Sequence, residues 1–103
     1  MPELSVQELQ ALLGQKAALQ LIDVREPYEY AIANLGGRLI PPGRILEESA
    51  QIARDKMVVF YCRTGIRSAR AIRELRERYG LENLYNLTGG IAAWAREIDP
   101  EMK

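Results

Sequence analysis

The sequence predicts an α/β fold with a mainly parallel central sheet flanked by helices. Three observations carry this. Strand-like apolar runs alternate with helix-like amphipathic segments along the chain. The run MVVFY (57–61) is continuously apolar, as expected of a strand covered on both faces. The chain has 103 residues, 48% hydrophobic and 27% charged, the size of one domain (1–103) that buries roughly two-thirds of its unfolded surface without staples.

The elements follow in order. Ser5 with Glu8 three residues later reads as a capping box opening a short helix, closed at Gly14. ALQLIDV (18–24) reads as a strand. EPYEYAIANL (26–35) reads as a helix with Pro27 in its first turn, ended by Gly36 and Gly37. RLI (38–40) is a short strand stopped by Pro41 and Pro42, and RILEESAQIAR (44–54) reads as a polar helix. After MVVFY, the apolar residues Ile66, Ala69, Ile72, Leu75 and Tyr79 recur every three or four positions, which predicts a helix ended by Gly80. NLYNL (83–87) is a fourth strand, Gly89 and Gly90 turn the chain, and IAAWAREI (91–98) forms a last helix. There are no internal repeats or low-complexity tracts.

Composition excludes several function classes. The chain has no histidine, which removes Ser-His-Asp and Cys-His hydrolysis, His-bearing zinc sites and imidazole acid–base catalysis within it. No metal or cofactor is expected. With one cysteine no intramolecular disulfide can form, so a reducing cytoplasm is the expected compartment. No apolar run approaches the ~20 residues of a membrane span, and the polar N-terminus lacks the layout of a signal peptide. A net charge of zero argues against nucleic acid as a partner.

The charge is unevenly placed. Residues 63–78 hold six arginines against Glu74 and Glu77, so this segment carries +4 and the rest of the neutral chain −4. The outer arginines read as a solvated helix face stitched by pairs such as Arg70–Glu74 and Glu74–Arg78. Arg63 and Arg67 lie before the helix or in its first turn, where a cation opposes the macrodipole, so they need another reason.

That reason starts with Cys62, which stands at the carboxyl end of the apolar strand, where open α/β sheets build their sites. Asp23 and Arg25 stand at the corresponding end of the earlier strand, which suggests a shared crevice. Taken alone, a free cysteine is usually a small buried hydrophobe. Here Gly65 lets the following loop curl so that successive N–H groups point inward. The helix start adds its free N–H groups and positive dipole end. Such a cradle binds an anion: a thiolate, a persulfide or an oxyanion such as thiosulfate. Ser68 can donate its hydroxyl to the loop, and Arg63 and Arg67 can hold the anion at the rim.

Ionisation alone gains little. Lowering a thiol pKa from ~8.5 to near 6.5 raises the thiolate fraction at pH 7 roughly 25-fold. The weaker nucleophile, with a Brønsted slope of ~0.4–0.5, gives back about eightfold. Orientation of the donor and stabilisation of the product anion must supply the rest.

The stretches LIDVREPYEY (21–30), VVFYCRTGIRSARA (58–71) and NLTGGIAAWA (86–95) together resemble the rhodanese (sulfurtransferase) family, over roughly residues 5–97. The resemblance implies a rhodanese-like three-layer fold and a persulfide relay. A small anionic donor such as thiosulfate gives its outer sulfur to Cys62, and a thiol or cyanide takes it away; a sulfur-relay protein is a candidate partner. By the same resemblance Arg63, Thr64, Gly65, Ile66, Arg67 and Ser68 form the substrate-binding cradle. Asp23 and Arg25 match the family's aspartate–arginine motif, either as a network bracing loop or donor or as a structural salt bridge. Phe60, Tyr61 and Trp94 read as core or pocket wall.

Phosphatases and arsenate reductases of this fold use C-x5-R. Here the residue six after Cys62 is Ser68 and Arg67 closes a loop of six residues counting Cys62, which favours sulfur over phosphorus chemistry. The alternatives are a non-catalytic binding module of the same fold, and a phosphatase or arsenate reductase. Two departures from the family pattern stand out: NLGGR (34–38) replaces the frequent His-Ile-Pro-Gly-Ala, and Thr64 stands where some thiosulfate-using members carry lysine.

Overall fold

The computed structural model describes residues 2–102. The order is β1 (Glu3–Leu4), α1 (Val6–Gly14), β2 (Leu19–Asp23), α2 (Pro27–Ile32), β3 (Arg38–Leu39), two single 3-10 turns (Pro42–Arg44 and Ser49–Gln51), β4 (Met57–Tyr61), α3 (Ile66–Tyr79), β5 (Leu84–Leu87) and α4 (Gly90–Glu97). The five strands form one parallel sheet in the order β1-β5-β4-β2-β3. The α/β reading and the parallel sheet therefore hold.

Strand β4 lies at the centre, and its side chains alternate between two cores. Val58 and Phe60 join Ala71, Ile72 and Leu75 of α3 on one face. Val59 and Tyr61 join Leu9 of α1 and Ile91 of α4 on the other. Helices thus cover both faces, which makes three layers and explains the unbroken apolar run. Phe60 and Tyr61 are fully buried, each worth roughly 1.5–3 kcal/mol of apolar burial. The register sets Asp23 opposite Tyr61 and Phe60 opposite Asn86. The residues leaving β2, β4 and β5 therefore emerge side by side at the carboxyl end of the sheet.

Several expectations need correction. Residues 44–54 do not form a helix. Their backbone is held elsewhere: Gln20 of β2 donates to the Gln51 carbonyl at 2.9 Å and accepts from the Ala53 amide at 2.7 Å. Ile45 and Ile52 are buried in the α3-side core, and a polar segment this short has too little helix stability to resist that anchoring. Helix α2 stops at Ile32, because Ala33 is extended and the Asn34 side chain takes the Tyr30 carbonyl. Helix α1 keeps Gly14 in its last turn, and the left-handed residue is Lys16. In α3 the buried residues are Ser68, Ala71, Ile72 and Leu75, while Ile66 is 68% and Tyr79 41% exposed. The first and last members of the predicted apolar stripe thus lie outside the core. The pairs Arg70–Glu74 and Glu74–Arg78 are absent from the ion pairs among the described residues. Strand β1 has no counterpart in the sequence reading. Among the described residues, no helix is long and apolar enough to cross a membrane.

Candidate active site

Cys62 follows β4 directly and is only 1% exposed. Its Sγ accepts the Gly65 amide at 3.1 Å and the Ser68 amide at 3.4 Å. Ser68 Oγ stands 3.5 Å away, where either atom can donate. Burial pushes the thiol up, while a Ser68 hydroxyl aimed at the sulfur, together with the Ser68, Gly65 and Thr64 amides, would hold it below its ordinary value. The loop 63–67 therefore presents amides to the sulfur, as its glycine and the helix start suggest.

Two glycines fix this loop. Gly65 caps α3 with φ +99°, a left-handed conformation that L side chains resist. Gly90 opens α4 with φ +59°, and a Cβ there would stand 2.6 Å from the Arg63 carbonyl oxygen. That contact exists because α4 reaches back to the loop. The Ile91 amide donates to the Cys62 carbonyl and the Ala92 amide to the Arg63 carbonyl, each at 2.9 Å. With their carbonyls turned toward α4, the peptides of the loop are free to aim N–H groups at Sγ. The NLTGG stretch is thus the outer wall of the cysteine cradle.

The aspartate–arginine motif forms a closed unit. Arg25 Nε and Nη2 both reach the Asp23 carboxylate, the shortest contact being 2.8 Å, and Nη2 also donates to the Ala33 carbonyl at 2.7 Å. Both residues are buried. Arg25 still reaches a cleft of about 300 Å³ that it lines with Tyr28, Glu29, Ile32 and Arg63. Arg67 is not free at the rim. It makes a two-pronged pair with Glu29 of α2 at 2.8 and 2.9 Å, and the hydrogen bonds from Arg67 pull the Glu29 carboxyl down to about 2. Arg63 makes no ion pair among the described residues. Ile66 points outward despite its place in the loop.

Three residues beyond the sequence reading belong to the site. Glu29 anchors Arg67. Asn86 of β5 is buried, accepts the Ser68 hydroxyl, and donates to the Gly65 carbonyl at 3.1 Å. Glu3 of β1 accepts from Asn86 at 3.3 Å and from Thr88 at 2.8 Å. The only local signal was a polar Asn86 inside a strand, since Glu3 and Glu29 join the site across long stretches of chain. Phe60 and Tyr61 are core residues and Trp94 packs half-buried against the α1–α4 side.

Residues 5–97 match the rhodanese-like domain. The chain is 40% identical over 98 residues to the "Probable adenylyltransferase/sulfurtransferase MoeZ" of Mycobacterium tuberculosis, covering 92% of this chain and 25% of that one. It is 35% identical over 95 residues to a protein named "Sulfurtransferase" from Allochromatium vinosum, covering 91% and 88%. The rhodanese-like domain protein of Staphylococcus aureus superposes with a TM-score of 0.83 at 26% identity, covering 91% of both chains. The chain therefore spans about a quarter of the length of the MoeZ relative.

Proposed function

The chain belongs to the rhodanese-like domain family, and on that premise we propose that it is a sulfurtransferase carrying sulfane sulfur on Cys62. The observation that supports this most is the cradle: a thiol at a strand end, accepting amides from the Gly-containing loop and the head of α3. Those donors suit an anionic sulfur at each stage of a relay. The Cys62 thiolate attacks the outer sulfur of thiosulfate, that S–S bond breaks, and sulfite leaves with the bonding pair. A cyanide or thiolate acceptor then attacks the outer sulfur of the Cys62 persulfide and releases the thiolate. No external oxidant or reductant is consumed.

Arg63, unpaired among the described residues and lining the adjacent cleft, is the residue we assign to attract the donor anion. Arg67 contributes at a distance, its charge already shared with Glu29. The near-complete burial of Cys62 favours a slender donor, thiosulfate or a persulfide chain, over a bulky one. Names such as adenylyltransferase/sulfurtransferase among the relatives support a protein of a sulfur relay as a further acceptor. A reducing cytoplasm is part of the proposal, since it keeps the single free thiol of Cys62 from oxidation between turnovers. The test is thiocyanate production from thiosulfate and cyanide by the wild type and Cys62→Ala. We expect loss of the activity in the variant; full retention would sink the assignment.

A further inference from the structure

Asn86 is held in one orientation. Its Nδ2 faces only acceptors, the Gly65 carbonyl at 3.1 Å and the Glu3 carboxylate at 3.3 and 3.4 Å. Its Oδ1 must therefore be the atom facing Ser68, and Ser68 Oγ donates to it in a short hydrogen bond. A hydroxyl has one proton. Given to Asn86, that proton cannot also go to Cys62 Sγ, 3.5 Å on the other side of the same oxygen.

We propose that Asn86 is a positioning residue that claims the Ser68 hydroxyl proton, so that Ser68 faces the Cys62 sulfur with a lone pair and accepts its S–H. The thiolate is then stabilised by the backbone amides of the loop and opposed by the Ser68 oxygen. Ser68 and Asn86 keep the resting sulfur more basic, and hence more nucleophilic, than the amide cradle alone would leave it. The charged or titratable groups that these elements bring to the site include Glu3 of β1, Asp23 and Arg25 at the end of β2, Glu29 of α2, Tyr61 of β4, and Arg63 and Arg67 of the loop and α3. All of them stay in place in the variants below. The consequence for sulfur transfer rests on the function proposed above, whereas the hydrogen-bond assignment does not.

The test is the pH dependence of Cys62 alkylation by iodoacetamide, followed by intact mass, which needs no sulfur donor. Ser68→Ala is expected to lower the apparent thiol pKa slightly, by less than about 0.3 unit, because an oxygen opposing the thiolate is lost and no donor to sulfur is lost. Asn86→Leu frees the Ser68 proton for the thiolate and should lower the value by about one unit, roughly tenfold in thiolate ratio. Its high-pH alkylation rate should fall about threefold. In the double variant the shift should vanish, since the effect of Asn86 runs through Ser68. A rise of about one unit in Ser68→Ala would overturn the proposal by showing that Ser68 donates to the thiolate in the native protein. An unshifted Asn86→Leu would overturn it equally. Should Asn86→Leu fail to fold, as far-ultraviolet circular dichroism would show, Ser68→Ala decides alone. Loss of sulfur transfer with this titration pattern intact would count against the proposed function and leave the network standing.

Discussion

Replacing Gly90 by alanine should both weaken the fold and disturb the thiol, because α4 starts in contact with the backbone that carries Cys62. Gly90 has φ +59°, and its Cβ would lie 2.6 Å from the Arg63 carbonyl oxygen and 2.7 Å from that carbonyl carbon, with the Cys62 carbonyl oxygen closer still. The left-handed conformation alone costs an alanine about 1–2 kcal/mol. Relieving the overlap means moving backbone, which has no flexible end to swing away. The loop must retreat from α4 and give up the bonds from the Ile91 and Ala92 amides, each now 2.9 Å. At about 1 kcal/mol each, the expected loss is about 3–4 kcal/mol. Gly36→Ala isolates the conformational part, since Gly36 has φ +83° and nothing within 4 Å of its Cβ position. Urea unfolding of both variants, with the iodoacetamide reactivity of Cys62, provides the assay. Gly90→Ala should lose about 2 kcal/mol more than Gly36→Ala and change the alkylation rate. Equal losses with unaltered thiol reactivity would refute the claim that α4 shapes the cysteine loop.

Other predictions concern the charges round the site. Glu29 sits at about 2 instead of its ordinary 4.5, so the Glu29–Arg67 pair contributes stability that is complete above about pH 4.5 and lost as pH falls toward 2. With Arg67 one-third exposed, that contribution is about 1–2 kcal/mol. Acid-series thermal melts should show wild type and Glu29→Gln converging below pH 4.5; a constant gap down to pH 2.5 would contradict it. Asp23→Asn leaves the buried Arg25 guanidinium without its counter-charge and should lose about 3–5 kcal/mol in urea melts. The double change Asp23→Leu with Arg25→Met should recover most of that stability. If sulfur transfer is lost in the refolded double variant, Arg25 serves the donor; if it is kept, the pair is only a brace.

The sequence carried most of the fold because its signals are local. Ser5 and Glu8 form the predicted capping box, MVVFY is the central strand, and the strand–helix alternation became a parallel sheet. Cys62 and its loop were legible for the same reason, since a strand, a cysteine, a glycine and a helix start lie within a few residues. What was missed depends on distant partners. Residues 44–54 look helical until Gln20, on a strand far back in the chain, takes their backbone groups. Arg67 looks like a free rim cation until folding brings Glu29 against it. Strand β1 is two residues long and is defined only by pairing with β5. The cradle's outer support, from Glu3 through Asn86 to Ser68, joins three elements and leaves no pattern in any one of them.

Intact-protein mass spectrometry after brief exposure to thiosulfate, and separately to glutathione persulfide, tests the central claim most directly. A Cys62 persulfide predicts a gain of one sulfur atom with at least one donor, removed by cyanide and absent in Cys62→Ala. An unchanged mass with both donors in the folded wild type would contradict a sulfur-carrying role, and a binding module of the same fold would take its place.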